Sequence, residues 1–231
     1  MVGSIIEIDY NTATTFLLPK HYSGRVPTVS VAFGWYDCDT YTYDHLKAVC
    51  TFGKPVSPTL CSGVCGSEYS SQVYELNRLC RVDDWNEPLS QFVSYCLRKL
   101  KVRNWIIVSY SDTGMHHHGY IYQACNFIYT GCTKGRTDKY SSGGKHHRHY
   151  SNMEQGEYRK VRTPKHRYIY FCTNSKKLKR IWKSSLKYPI CEYPKGDNQN
   201  YVLGEFMDCK LVADETKRLE DQVYLCDTRL W

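Results

Sequence analysis

Residues 111–131, SDTGMHHHGYIYQACNFIYTG, gather an aspartate, three adjacent histidines and three tyrosines between two apolar runs. Asp112 follows the run NWIIVSYS, where a predicted strand ends. A carboxylate there can orient an amine or take up its proton, and a tyrosine can donate a proton. Adjacent histidines on a helix point about 100° apart, so all three cannot bind one ion. We interpret the segment as a catalytic turn in which His118 and Tyr122 share one helix face.

Strand-like and helix-like runs alternate on either side of this turn. The predicted elements are strand 71–82, helix 87–100, strand 104–112, helix 117–125 and strand 127–133. In an open α/β sheet, ligands bind beyond the carboxyl ends of adjacent strands. Arg78 lies on the first of these strands and Asp112 ends the second, so we expect them to lie close together. Ser90 and Gln91 fall in the first turn of the helix between them. His116 and His117 are expected to meet solvent or phosphate.

The other runs complete one α/β domain. They predict strand 4–9, a helix in 11–22 that ends at Pro19, strands 28–36 and 45–53, strand 166–172 and a basic helix over 175–187. Antiparallel strands at the front and a β-α-β unit in the middle predict a mixed central sheet flanked by helices, over residues 1–190. Residues 191–231 show no periodic pattern and are expected to form an irregular extension packed on this domain.

Positive charge is concentrated in one segment. Residues 134–187 hold 16 Lys and Arg against three acids, a net charge of +13, although the whole chain is only +8. Aromatic residues are interleaved with these cations. This pattern favours nucleic acid over the alternative, a solvated basic face. The predicted DNA-contacting residues are Arg136, Lys139, Lys145, Arg148, Lys176, Lys177, Lys179 and Arg180.

The 12 cysteines are spread through apolar runs such as KAVCTF and IYFC. This distribution is typical of buried thiols in a reducing compartment rather than of a disulfide framework. No run of 18 apolar residues is present, and the first residues, MVGSIIEIDY, lack a basic start and an apolar core. The sequence therefore predicts a soluble protein that does not enter a membrane.

Several long motifs resemble one family. Four runs follow the order of the central motifs of the GNAT acyltransferase fold: ELNRLCRV, EPLSQFVSYCLRKL, IIVSYSD and HGYIYQACNFIYTG. Their amino-acid sequences are similar to those of the phage Mom DNA-modification proteins. HYSGRVPTVSVAFG at 21–34, GVCGSEYSSQVYELNRL at 63–79 and KHRYIYF at 165–171 are also similar. The resemblance covers roughly residues 15–190.

The resemblance implies an enzyme that places a methylcarbamoyl or acetamido-type group on N6 of adenine in double-stranded DNA, which shields phage DNA from host restriction. It also implies that the protein is located in the cytoplasm of an infected bacterial host. Iron is associated with the family and would bind first at His21 and Tyr22. The functional residues that the resemblance implies are His21, Tyr22, Arg78, Ser90, Asp112 and Tyr122.

The chemistry of adenine N6 suggests roles for three of these residues. Because the N6 lone pair is delocalised into the ring, an enzyme must orient the amine, remove a proton and polarise the incoming carbonyl. Asp112 can deprotonate the amine, Arg78 can stabilise an oxyanion, and Tyr122 can protonate a leaving group. Simpler roles remain open: Asp112 as a helix cap, Arg78 paired with Glu75 or Glu68, and Tyr122 as a core aromatic.

The loop RVDDWNEPLSQ departs from the GNAT pattern. It has no glycine, and Asp83, Asp84 and Glu87 stand where coenzyme A phosphates would bind, so repulsion disfavours coenzyme A in its usual mode. Ser90 and Gln91 remain the predicted contacts to a group donor of open identity. Two other functions stay open: a GNAT-like N-acetyltransferase acting on protein or RNA, and a non-catalytic DNA-binding counter-defence protein.

Overall fold

The computed structural model of the protein describes residues 3–139 and 158–197 together with two short strands further along the chain. In chain order, the strands are β1 (Ser4–Ile8), β2 (Val31–Tyr36), β3 (Leu46–Gly53), β4 (Val73–Arg81), β5 (Trp105–Asp112), β6 (Ile128–Cys132), β7 (Arg136–Lys139), β8 (Tyr158–Arg162), β9 (Lys165–Cys172), β10 (Cys209–Ala213) and β11 (Leu225–Asp227). The α-helices are α1 (Tyr10–Leu17), α2 (Pro58–Cys65), α3 (Leu89–Leu100), α4 (Tyr120–Ala124) and α5 (Lys176–Ser185).

Seven strands form the main sheet in the order β1-β2-β3-β4-β5-β9-β6. Neighbouring strands run antiparallel, except that β4 and β5 are parallel and are joined by α3. The predicted α/β class, with a mixed central sheet flanked by helices, is confirmed. The sequence order did not indicate that β9 lies between β5 and β6, where it pairs with β5 along the whole of that strand.

Helices cover both faces of the main sheet. On one face, α3 and α4 contribute Phe92 and Tyr122 to the largest core cluster. On the other face, α1 packs through Phe16 near β2 and β3, and α2 and α5 pack through Val64 and Trp182 near β5 and β9. These buried aromatic and aliphatic side chains hold the helices to the sheet because each removes a large apolar area from water.

The parallel pair β4 and β5 separates part of the way along its length. Pairing ends at Leu76 and Ser109, although β4 continues to Arg81 and β5 continues to Asp112. Beyond this point each strand keeps only its other neighbour, β3 or β9. The sheet is therefore split where the carboxyl ends of the two parallel strands face each other, which is the position that Arg78 and Asp112 were expected to share.

A β-bulge in β4 lies at the same point. The register against β3 shifts between the pair Thr51–Arg78 and the pair Phe52–Leu76, which leaves Asn77 as the extra residue. A bulge re-aims side chains that would otherwise alternate across the sheet. Asn77 Nδ2 donates to the Thr28 carbonyl (2.8 Å) and Arg78 Nη2 donates to the Arg25 carbonyl (3.5 Å), so two successive side chains reach the same segment, residues 18–30.

Helices α1 and α2 depart from the prediction. α1 begins at Tyr10 rather than residue 11, because the Asp9 carboxylate caps it by accepting from Thr12 N (2.9 Å). α2 was not predicted. It is capped by Ser57, and Cys65 Sγ at its end donates to the Trp182 carbonyl of α5.

A second, four-stranded antiparallel sheet has the order β11-β10-β8-β7. It includes two short strands from the region after residue 190, for which no secondary structure was predicted. In the described part of the chain, no disulfide joins any two cysteines, and most of the described thiols are buried. None of the described helices has the length and apolar character needed to cross a bilayer.

Candidate active site

Asp112 lies at the end of β5 and is almost completely buried, with 2% of its surface exposed. Its Oδ1 accepts from Gly114 N (3.0 Å) and from the Thr163 hydroxyl. Its Oδ2 lies 2.6 Å from Nζ of Lys165, which is the first residue of β9. The carboxylate is thus held by an ammonium group, a hydroxyl and a backbone N–H. Asp112 does cap the chain that follows, but it caps a short 3-10 turn, not an α-helix.

His21 and Tyr22 enter the site from the segment 18–30. Their rings stack with centroids 4.4 Å apart and 28° between planes. Burial lowers the pKa of His21 well below its ordinary value, and the charges of Arg78, Lys165 and His117 act in the same direction. At neutral pH this imidazole is therefore uncharged.

Burial also keeps the Tyr22 phenol protonated. It raises the pKa of Tyr22 to about 12, the Asp112 charge adds to this rise, and the Arg78 charge opposes it. A phenol with such a pKa is a hydrogen-bond donor across the physiological range. Tyr22 from the N-terminal segment, Arg78 from β4 and Asp112 from β5 are therefore close enough at the split for the two charges to act on the phenol.

Arg78 is largely buried and is only partly satisfied by hydrogen bonds. Its Nη1 donates to the Asn77 carbonyl (2.7 Å) and its Nη2 to the Arg25 carbonyl, whereas its Nε has no hydrogen-bond partner among the described residues. Burial lowers the pKa of Arg78, although the charges of Tyr22 and Glu75 oppose that change; a guanidinium stays charged in proteins all the same. In the described part of the chain no ion pair joins Arg78 to Glu75 or Glu68, so donors remain for a ligand.

Glu75 and Lys165 belong to the same cluster, and the sequence reasoning missed both as site residues. Burial raises the pKa of Glu75, while the charges of Arg78 and Lys165 oppose that rise. Lys165 pairs with Asp112 and also acts on His21. The sequence did show that Glu75 lies three positions before Arg78, but in a regular strand this spacing places the two side chains on opposite faces. A bulge changes the register and brings them to the same face. Lys165 is 53 residues from Asp112 in the sequence, and no local pattern indicated their contact.

Tyr122 reaches the cluster from the opposite face of the sheet. It packs against Phe127 and Tyr168, with ring centroids 5.4 Å apart in both cases. Burial raises the pKa of Tyr122, a hydrogen bond with Ser109 opposes the rise, and the charges of Tyr22 and Glu75 add to it. Tyr122 is therefore both a core aromatic and a protonated hydroxyl beside the split.

The helix that follows the three histidines begins later than predicted. α4 starts at Tyr120, because His116 and Gly119 adopt left-handed backbone conformations that interrupt a helix. A side chain at position 119 would also meet the Tyr168 ring at 2.5 Å. His118 precedes the helix, so the prediction that it shares a helix face with Tyr122 is wrong.

His117, not His118, is the histidine next to the stacked pair. Its ring centroid lies 6.3 Å from that of Tyr22, and its charge acts on His21. The His118 ring instead lies near that of His166 of β9, with 5.8 Å between the ring centroids. His117 is half-exposed, so the expectation that it meets solvent or phosphate stays a prediction, and the left-handed turn at residue 116 places its ring beside Tyr22 as well.

The His21–Tyr22 pair does not fit the iron that the resemblance implied. His21 Nδ1 accepts a hydrogen bond from Ser23 N (3.1 Å), so the neutral ring carries its proton on Nε2 and cannot ligate through that atom. Tyr22 stays a phenol, and the positive charges of Arg78 and Lys165 beside the pair are offset by the carboxylates of Asp112 and Glu75. The tautomer of His21 and the protonation of Tyr22 therefore leave the pair without a ready ligand atom for iron, and we assign iron no step.

One group of three metal-type side chains, Asp37, Cys38 and His45, occurs among the described residues. Their ligand atoms lie within 4.8 Å of one another at the connection between β2 and β3. His45 Nδ1 lies 2.8 Å and Lys47 Nζ lies 3.2 Å from the Asp37 carboxylate. That carboxylate is thus already held by two partners in a partly exposed ion-pair network.

Ser90 and Gln91 lie beside a different feature. They line an open cleft of about 390 Å³ with Ser94, Arg98 and Ala124, between α3 and α4. Cys125 Sγ donates to the Ser90 carbonyl. No residue of the split lines this cleft, so the predicted donor contacts and the predicted catalytic residues occupy two adjacent places, joined through α4.

The predicted DNA-contacting residues fall into two groups. Lys176, Lys177, Lys179 and Arg180 are all exposed on α5, and we call them the α5 basic face. Arg136 is exposed on β7, 3.5 Å from Asp138, and the Lys139 side chain is not described. Lys145 and Arg148 lie outside the described residues.

Comparisons with known proteins complete the description. The chain matches the Mom protein family over residues 4–195. No curated protein sequence matches it. Two solved structures are similar at 11% identity and a TM-score of 0.44: an N-acetyltransferase from Staphylococcus aureus Mu50, covering 74% of this chain and 98% of that one, and Arabidopsis thaliana NAA60 in complex with acetyl-CoA, covering 73% and 97%.

Proposed function

Because the chain belongs to the Mom protein family, which it matches over residues 4–195, we propose that it modifies N6 of adenine in double-stranded DNA. The group transferred is of the methylcarbamoyl or acetamido type, and the modification protects phage DNA from host restriction. One observation carries the proposal at the level of chemistry. The split between β4 and β5 gathers a guanidinium, two protonated phenols and two carboxylates around one place, which are the groups that acyl-type transfer to a weak amine requires.

The transfer is a substitution at a carbonyl carbon. A bond forms between adenine N6 and the carbonyl carbon of an activated donor, and the bond from that carbon to the leaving group breaks. The N6 proton passes to a carboxylate, and a phenol supplies a proton to the leaving group. Arg78 donates to the oxygen that becomes negative, because its Nε has no partner among the described residues. Tyr122 is the proton donor beside the split, since it stays protonated.

Adenine must leave the duplex to reach a buried site. The stacked pair His21–Tyr22 offers a flat, uncharged surface beside Arg78, against which a flipped purine can stack. Outside the site, the α5 basic face offers four exposed cations to the phosphate backbone. The cleft lined by Ser90, Gln91 and Arg98 would hold the group donor, with Arg98 as its one cationic lining residue.

Mass spectrometry of nucleosides tests the proposal directly. DNA from bacteria that express the chain is digested and compared with DNA from bacteria that express Arg78→Lys, a change that keeps the charge but removes the planar fork of donors. Arg103→Lys, at an exposed position away from the split, is the matched control. We expect deoxyadenosine bearing the added group with the parent chain and with the control, and strongly reduced levels with Arg78→Lys.

Two other results would replace the proposal. Acetylated protein or RNA with unmodified DNA would favour an N-acetyltransferase. Unmodified DNA, protein and RNA, together with salt-sensitive binding of the purified chain to duplex DNA, would favour a non-catalytic binding protein.

A further inference from the structure

The carboxylate that ends β5 is poorly placed to accept a proton from the substrate. Asp112 Oδ1 accepts from Gly114 N and the Thr163 hydroxyl, whereas Oδ2 makes no hydrogen bond among the described residues and forms an ion pair with the Lys165 ammonium group at 2.6 Å. An amine that approached Oδ2 would have to share this oxygen with the Lys165 ammonium group, whose positive charge repels the charge that develops on the amine as it reacts. Its contacts instead suit a residue that fixes the position of Lys165.

A second carboxylate lies in the same cluster and is not engaged in this way. Glu75 makes no hydrogen bond or ion pair with any other side chain in the described part of the protein, and it keeps partial exposure. It pairs across the sheet with Gly53, and the Thr28 carbonyl lies beside that glycine. Glu75 therefore lies next to the segment 18–30, which carries the stacked His21–Tyr22 pair.

The electrostatic surroundings of Glu75 match those of a proton acceptor. Burial raises the pKa of Glu75 above its ordinary value, and the charges of Arg78 and Lys165 oppose that rise. The Glu75 charge in turn raises the pKa of Tyr122, so the acid and the phenol interact electrostatically across the split. A carboxylate with an elevated proton affinity beside a protonated phenol is the arrangement in which one group takes a proton and the other gives one.

We propose that Glu75 is the catalytic base, taking the adenine N6 proton as the N6–carbon bond forms, and that Asp112 is a positioning residue that acts through Lys165. The inference rests on the proposed function. The electron pair left on N6 forms the new bond to the donor carbonyl carbon. The proton resides on the Glu75 carboxyl group until water removes it, and Tyr122 protonates the leaving group.

The test compares Glu75→Gln with Glu75→Asp and with Glu68→Gln, which removes an exposed acid from the preceding turn. Modified deoxyadenosine is measured in DNA from cells that express each form. Glu75→Gln should lower the level by on the order of 10²-fold, the scale of general-base loss. Glu75→Asp should recover part of it, and Glu68→Gln should match the parent. Parental levels of modification with Glu75→Gln would overturn the assignment; an unmodified parent would instead overturn the proposed function, and the role of Glu75 with it.

A second measurement does not depend on activity. A carboxylate whose folded pKa is raised binds more protons in the folded state, so stability falls as pH rises from its ordinary pKa near 4.5 through the folded value. Glu75→Gln should therefore unfold at a higher temperature than the parent at pH 7, and the two should converge at pH 4. A glutamate that only holds Arg78 by an ion pair would give the opposite result: the glutamine variant would be less stable at pH 7, and the proposal would be wrong.

Discussion

The ion pair between Asp112 and Lys165 leads to an asymmetric prediction for stability. The Asp112 side chain is 1% exposed and the Lys165 side chain is 41% exposed, with 2.6 Å between Oδ2 and Nζ. Lys165→Met leaves a buried carboxylate with only a hydroxyl and a backbone N–H as partners. Asp112→Asn leaves a lysine that can turn to solvent, and the asparagine oxygen can still accept from Gly114 N.

The expected magnitudes follow from this difference in exposure. Exposed pairs contribute about 0.2–1 kcal/mol, and breaking a buried pair costs about 3–5 kcal/mol. With one partner two-fifths exposed, we expect about 2–3 kcal/mol for Lys165→Met and about 1–2 kcal/mol for Asp112→Asn. The double variant should be no less stable than Lys165→Met, which corresponds to a coupling energy of about 1–2 kcal/mol.

Urea unfolding of the four proteins measures these quantities, with equal m-values as evidence that the changes act on the folded state. In thermal unfolding, each kcal/mol should shift the midpoint by about 2–4 °C for a chain of this size. Arg136→Met is the control: the Arg136 side chain is 71% exposed, and Asp138 keeps its closer contact with Arg162 at 2.8 Å, so stability should change by less than about 0.5 kcal/mol. The reasoning fails if Asp112→Asn costs as much as Lys165→Met, or if the two costs simply add.

Three further predictions follow from other parts of the molecule. Changing all four residues of the α5 basic face to glutamine should weaken duplex DNA binding equally for all sequences and reduce the slope of log affinity against log salt by about 3–4, measured by fluorescence anisotropy; an unchanged slope would place the interface elsewhere. His21→Gln should remove a loss of stability on acidification below pH 6.5, because a histidine with a lowered folded pKa binds fewer protons in the folded state; a parental pH profile would contradict its buried, neutral state. Trp182→Ala should destabilise the protein by about 3–5 kcal/mol, since this α5 side chain is 0% exposed where it packs near α2, β5 and β9. A cost below about 1 kcal/mol in urea unfolding would contradict that packing.

The parts of the fold that periodic patterns determine were predicted well. α3 has apolar residues at 89, 92, 93, 96, 97 and 100, and all but the first are fully buried. The β-α-β unit around α3 follows from that helix and from two apolar runs on either side of it. Amphipathic spacing over 12 residues is a strong local signal, because burial of one face decides where the helix lies.

Elements that depend on tertiary contacts were missed or misplaced. The α2 sequence, PTLCSGVC, has a glycine, a serine and a threonine, which are weak helix formers, and contact with α5 stabilises it. α4 was predicted three residues too long at its start, since nothing local shows that His116 adopts a left-handed backbone. In both cases packing decides against local propensity.

The candidate site was predicted in part for a related reason. His21, Tyr22, Arg78, Asp112 and Tyr122 do meet, as motif similarity and the rule on strand ends suggested. The contributions that local sequence could not reveal are long-range: a lysine from a strand inserted beside β5, and an acid that a bulge brings next to an arginine. Neither residue type nor spacing encodes those contacts.

The bulge explains why the two acids of the cluster differ. In a regular strand, Glu75 and Arg78 would point to opposite faces, because side chains alternate with a period of two. Asn77, the extra residue, shifts that alternation by one, so the guanidinium turns to the face where the glutamate already points. Because the bulge coincides with the end of β4–β5 pairing, Glu75 gains a cationic neighbour without a direct ion pair. Asp112, on the unbulged strand, meets its lysine in direct contact. One inserted residue thus separates a carboxylate able to take up a proton from one that holds a cation in place.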